Sequence, residues 1–189
     1  MARQRELDAF SAHRLGGESL PEDLSYLLTH AEELARRTGI ELNGEEGWAP
    51  WSDTSYLTAV DRENPDIMAS VRAIAEVCEF IVFVAADEDG EYFGYWRGPT
   101  RRTVSASPLV LLDNEGRFQF CAGTTLAGAI HGRTCGEEDR AELRDWFVSI
   151  GIAMPIVATE VTAFHEVGMS PDALCHGLYE RYRGEAGLH

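Results

Sequence analysis

Lysine is missing from all 189 residues: the 16 basic side chains are every one arginine, set against 32 acidic ones. Without lysine there is no Schiff-base amine, no anchor for pyridoxal phosphate and no phosphate-loop lysine, which removes several enzyme classes at once. Apolar runs of transmembrane length are missing too. The segment Met1-Ala-Arg-Gln-Arg-Glu-Leu7 carries no apolar stretch of a secretory signal, so the cytoplasm is the expected compartment. The four cysteines, Cys78, Cys121, Cys135 and Cys175, show no CxxC spacing, and in that compartment they are expected as free thiols. Neither an internal repeat nor a low-complexity tract interrupts the chain. Its length and 44% hydrophobic content suit one domain over residues 1–189, with a core over about 19–130 and a helical extension over about 131–189.

The acidic excess leaves a formal charge of −16 at pH 7. Such a surface repels phosphate backbones, so direct nucleic-acid binding is not expected. A basic protein would instead be drawn in, and its encounter hastened. Charge of this size also keeps a protein soluble, which requires no partner at all.

What is present reads most clearly between Phe80 and Ile130. Phe80-Ile-Val-Phe-Val-Ala-Ala86 is apolar, β-branched and aromatic, as a strand buried on both faces should be. Asp89-Gly90 suits a tight reversal, and Glu91-Tyr-Phe-Gly-Tyr-Trp96 returns as a second strand. Pro108-Leu-Val-Leu-Leu-Asp113 makes a third. The turn Asn114-Glu-Gly116 leads to a fourth, Arg117-Phe-Gln-Phe-Cys121. Thr124 or Thr125 then caps a short helix carrying Leu126, Ala129 and Ile130.

Helices flank this meander. Leu7, Phe10 and Leu15 suggest one that ends at Gly16-Gly17. Ser19-Leu-Pro-Glu22 has capping-box spacing ahead of the stripe Leu24, Leu27, Leu28, Ala31, Leu34 and Ala35, closed by Gly39. Asn64-Pro65-Asp66 starts another, which is expected to bury Ile67, Val71, Ile74 and Cys78. Past His131, Leu143, Trp146, Phe147 and Ile150 form a helical stripe. Val157, Val161 and Phe164 form a second, in a segment β-branched enough to leave strand open. Ser170-Pro171-Asp172 caps a last helix carrying Leu174, Leu178 and Tyr182.

Leu20-Pro21 opening a long helix, a buried strand ending in acidic residues and Gly90, an aromatic strand with an internal Gly94, then Pro108-Leu-Val-Leu-Leu-Asp113 and a capped helix: in this order the chain resembles the SUKH superfamily. These are immunity proteins of bacterial toxin systems, together with related regulatory proteins. The resemblance covers about Ser19 to Ile130. The segment from Trp48 to Asp66 and the tail after His131 depart from it.

Asp87-Glu-Asp-Gly-Glu91 gathers four carboxylates at a hairpin tip. Gly90 comes too early for a calcium loop and no terminal glutamate stands at the right spacing, so a solvated acidic turn is the plainer reading. His131 and Cys135 lie four apart, just ahead of a helix start near Glu137 that could lower a thiol pKa. Gly132 interrupts any shared helical face, however, and Glu137, Glu138 and Asp139 oppose a thiolate. His165-Glu166 lacks a second histidine at metalloprotease spacing, and no GxSxG occurs. His13, His30 and His176 stand without companions. No catalytic residue, metal or cofactor is therefore expected.

Trp48 and Trp51 flank Pro50 in a loop, where indoles either lid a core or anchor an interface. Tyr92, Tyr95 and Trp96 pose the same choice on the sheet. The expected fold is α+β: an antiparallel sheet of about four to six strands flanked by helices, with further helices at the C-terminal end. The resemblance implies a protein-binding immunity protein that neutralises a basic toxin domain by stoichiometric occlusion. Trp48, Trp51, Asp87, Glu88, Asp89 and Glu91 are the expected contact residues. One alternative is a regulatory or scaffolding module without a toxin. Another is a small hydrolase using Cys135 or the carboxylates of Asp87 to Glu91.

Overall fold

The computed structural model describes residues 2–154 and 168–188. Five strands form one antiparallel sheet: β1 (Ile40–Leu42), β2 (Ile81–Asp87), β3 (Tyr92–Trp96), β4 (Leu109–Leu112) and β5 (Phe118–Phe120). Each strand pairs with the next in sequence, so the sheet is a simple meander with β1 and β5 at its edges. Among the described residues eight helices surround it: α1 (Ala2–Arg14), α2 (Glu22–Thr29), α3 (Ala31–Thr38), α4 (Ala59–Glu63), α5 (Pro65–Cys78), α6 (Leu126–Arg133), α7 (Glu137–Ser149) and α8 (Pro171–Glu185). The protein is α+β, and none of these helices is long and apolar enough to cross a membrane.

Both faces of the sheet are covered at its centre, which is why β2, β3 and β4 are apolar without alternation, while the edge strands β1 and β5 expose Glu41 and Gln119. Leu109 and Leu111 join one core with Leu24, Leu34, Leu126 and Phe147. Val110 and Leu112, pointing the other way, join Ala73, Val77, Leu178 and Tyr182. In β2 the register passes from Phe83↔Gly94 to Ala85↔Phe93, so Val84 is an extra residue and the strand bulges. The bulge turns both Val84 and Ala85 to the first core, while Phe83 stays with the second. Gly94 is required here. A Cβ at this position would stand 2.5 Å from Ile81 Cγ2 and 2.9 Å from the Val82 carbonyl oxygen.

The helix starts follow the sequence closely in three places. Asn64 Oδ1 accepts from the amides of Asp66 and Ile67, with Pro65 in the first turn. Thr125, not Thr124, caps α6 through the amide of Gly128, and Ser170 caps α8 through that of Ala173. The helix expected from Ser19 behaves differently. It begins at Glu22 with Pro21 in the cap position and no side-chain cap bond, and it breaks at His30 into α2 and α3. The apolar stripe survives the break, because Leu24, Leu27 and Leu34 are all fully buried.

On α5 the buried stripe is Ala69, Ala73 and Val77, ending at Cys78, whereas Ile67, Val71 and Ile74 are only half-buried. The small alanines let α8 lie against α5. Polar contacts then fasten the pair: Arg183 Nε bonds Asp66 at 2.8 Å, Arg181 bonds Glu76 at 2.8 Å, and the Tyr182 hydroxyl donates to Glu76.

Between β1 and α5, a 3₁₀ turn (Pro50–Ser52) precedes α4, which Thr58 and Asp61 cap reciprocally. The expected stripe of Val157, Val161 and Phe164, and the pair His165-Glu166, lie outside the described residues.

Candidate functional site

The acidic hairpin joins β2 to β3, and its carboxylates divide into two kinds. Asp87 Oδ1 accepts from the amides of Asp89 at 3.1 Å and Glu91 at 2.9 Å, closing the turn around Gly90, whose φ is +78°. Glu91 forms an ion pair with Arg133 of α6, and Asp87 Oδ2 lies 3.9 Å from the same guanidinium. The Asp87 and Glu91 side chains are only 14% and 17% exposed. Burial pushes the Glu91 carboxyl above its ordinary value; Arg133 opposes this and Asp87 adds to it. These two acids hold the hairpin. Glu88 and Asp89 face solvent and carry the charge that a partner would meet.

The two loop tryptophans are half-buried and lie over the second core. Trp51 stacks at a tilt on Phe83, with ring centroids 4.2 Å apart, and meets Tyr92 edge-on at 5.6 Å. Trp48 packs edge-on against Trp51 at 5.3 Å and Tyr92 at 5.9 Å. The Arg14 guanidinium sits 5.1 Å from the Trp48 ring, and its Nη1 donates to the Trp48 carbonyl. Tyr92 thus faces this aromatic group, while Tyr95 and Trp96 are buried on opposite sides of the sheet.

These features meet at the β1 edge. A cleft of about 360 Å³ is lined by Trp48, Asn43, Glu41, Asp87 and Glu88, together with Gly39 and Ala35. Three of the residues expected from sequence therefore share one concavity. Trp51 touches Trp48 edge-on without lining the cleft, Asp89 lies at the exposed hairpin tip, and Glu91 turns away toward Arg133. Glu41 and Arg133 are additions to the site. Arg133 stands 42 positions from Glu91, so no local pattern connects them.

A larger cleft, about 550 Å³, lies on the other side of Asp87, between α3, α6 and α7. Arg36, Arg37, Arg133, Cys135 and Glu142 line it. Cys135 is exposed, and its thiol donates to the Arg133 carbonyl at 3.8 Å. His131 is not among the lining residues; burial lowers its pKa, with Arg140 adding to the effect. Among the described residues no three His, Cys, Asp or Glu side chains gather as a metal-binding group.

No family model, curated protein or solved structure matches the chain.

Proposed function

We propose that the chain is a protein-binding module that receives a basic partner at the β1 edge, and that the partner is a toxin domain neutralised by occlusion. The observation that carries the binding reading is the shared cleft of Trp48, Glu41, Asp87 and Glu88. A partly exposed aromatic side chain supplies an anchor, and acids around it favour arginine- or lysine-rich surfaces. The net charge of −16 extends that preference across the molecule and speeds encounter. The immunity role rests on the resemblance to the SUKH superfamily, whose members include toxin inhibitors.

The test is co-expression with the product of the adjacent gene. Rescue of growth by the wild-type chain is expected, and Trp48→Ala combined with Glu88→Arg should abolish it while the chain remains folded. An adjacent product that is not toxic, or rescue untouched by that double substitution, would sink the proposal.

A further inference from the structure

A third concavity, separate from both clefts that Asp87 lines, contains an incomplete hydrogen-bond arrangement. It encloses about 320 Å³ between α2, the N-terminus of α6 and the segment from Gly151 to Ala153. That size is at the small end of the roughly 300–1,000 Å³ range of ligand sites. Tyr95 lines it, is 2% exposed, and its hydroxyl has no hydrogen-bond partner among the described residues. Buried hydroxyls in folded proteins are almost always completed by protein, water or ligand.

Asp23, also lining the pocket and buried, accepts from the Ala127 amide at 3.2 Å in the first turn of α6. The helix end therefore already holds an anion of the protein's own. A second anion would meet Asp23 and the neighbouring Glu22, within a chain of charge −16. A cation would meet a carboxylate that burial has left short of solvation. Burial and the charge of Asp23 both push the Tyr95 phenol upward, so it stays a neutral hydroxyl whose oxygen can accept. Val104 and Ile152 supply apolar walls, and the half-buried Tyr26 ring completes the lining.

We propose that this pocket binds an organic cation, a protonated amine or guanidinium whose N–H groups donate to the Asp23 carboxylate and the Tyr95 hydroxyl oxygen. Its carbon part lies against Val104 and Ile152. The pocket shares no lining residue with the Trp48 cleft, so the assignment stands or falls separately from the toxin reading.

The experiment is an NMR titration of the full chain with n-butylammonium, with n-butanol and butyrate as controls of equal length. Saturable shifts are expected at the Leu126 and Ala127 amides and at the Tyr95 ring with the ammonium. Binding should be at least about tenfold weaker for the alcohol, and absent for the carboxylate. Tyr95→Phe should melt no earlier than the wild type, because the hydroxyl makes no bond among the described residues, yet weaken butylammonium by about tenfold. Asp23→Asn should weaken it further, but Asp23 also anchors α6, so Tyr95→Phe is the deciding variant. A capped lysine that binds as well as butylammonium would place the cation on a protein partner's side chain. One that is excluded while butylammonium binds would place it on a free small molecule. No saturable shift at millimolar probe, equal binding of butyrate, or an affinity unchanged in Tyr95→Phe would overturn the proposal and leave water as the companion of the hydroxyl.

Discussion

Arg14 donates to the carbonyl oxygen of Phe83 twice, through Nε at 3.1 Å and Nη2 at 2.7 Å. That carbonyl belongs to the point where β2 bulges, and a bulge disrupts the regular ladder of bonds around it. The planar guanidinium supplies two donors to one oxygen and a third to the Trp48 carbonyl. A single side chain at the end of α1 thus ties that helix to the sheet and to the aromatic loop.

Arg14→Lys should therefore not be conservative. An ammonium cannot reproduce the fork, and hydrogen bonds from charged groups contribute about 1.5–3 kcal/mol each. Loss of about 2 kcal/mol or more in urea unfolding is expected. A variant as stable as wild type would show that these bonds contribute no net stability.

Gly94→Ala and Gly177→Ala should move stability in opposite directions. The first drives a methyl group into Ile81 and the Val82 carbonyl, and overpacking of this kind costs about 1–3 kcal/mol or more. The second adds a methyl group on α8 with nothing within 4 Å, and replacing a helical glycine gains about 0.5–1 kcal/mol. Thermal melts of the pair provide the comparison.

Trp146 is 9% exposed and packs on Phe147, so Trp146→Ala should lose about 3–5 kcal/mol. Trp51→Ala should follow, since it gives up ring contacts with Phe83, Tyr92 and Trp48 worth about 0.5–1.5 kcal/mol each beyond burial. Trp48→Ala should cost least in stability and most in partner affinity, more than about 2 kcal/mol. If Trp48→Ala melts as early as Trp146→Ala, that indole is a core lid and leaves the binding site.

The hairpin acids should separate by role. Asp87→Ala strips the acceptor from two amides and should lower stability by about 1 kcal/mol or more. Glu88→Gln with Asp89→Asn should leave the melt unchanged but slow association with a basic partner, and added salt should erase the difference. Stopped-flow association rates at two salt concentrations report this directly.

Stability should also carry a signature of Asp23. Burial raises its carboxyl above the unfolded value, so the folded state holds the proton more tightly than the unfolded chain does. Its contribution is complete below the ordinary carboxylate range and is lost as pH rises through the raised native value. Across that window the wild type should lose more stability than Asp23→Asn. Parallel curves for the two proteins would assign the pH dependence to other groups.

Strands β2 to β5 were legible because β2 to β4 are continuous apolar or aromatic runs, β5 carries Phe118 and Phe120 on one face, and turn residues separate them; the close approach that requires Gly94 shows only in the packing. Three-residue β1 offered too few positions to show a period. The break at His30 left the stripe of Leu24, Leu27 and Leu34 intact, and a stripe is all that a sequence displays. The acidic turn and the tryptophans stood out by residue type. Their meeting at one cleft, and the diversion of Glu91 to Arg133, depend on contacts between distant segments that no local pattern encodes.

The pairing of α5 with α8 has a consequence for the order of assembly. Every strand of the meander closes onto its neighbour in sequence, whereas the Arg183–Asp66 bond spans 117 residues. Short closures are fast and long ones pay more chain entropy before any contact rewards them. The hairpins can therefore zip up while α8 is still being synthesised. Until α8 docks, Trp96, Val110 and Leu112 lack the cover of Leu178 and Tyr182, so the long-range closure that α8 makes completes the second core.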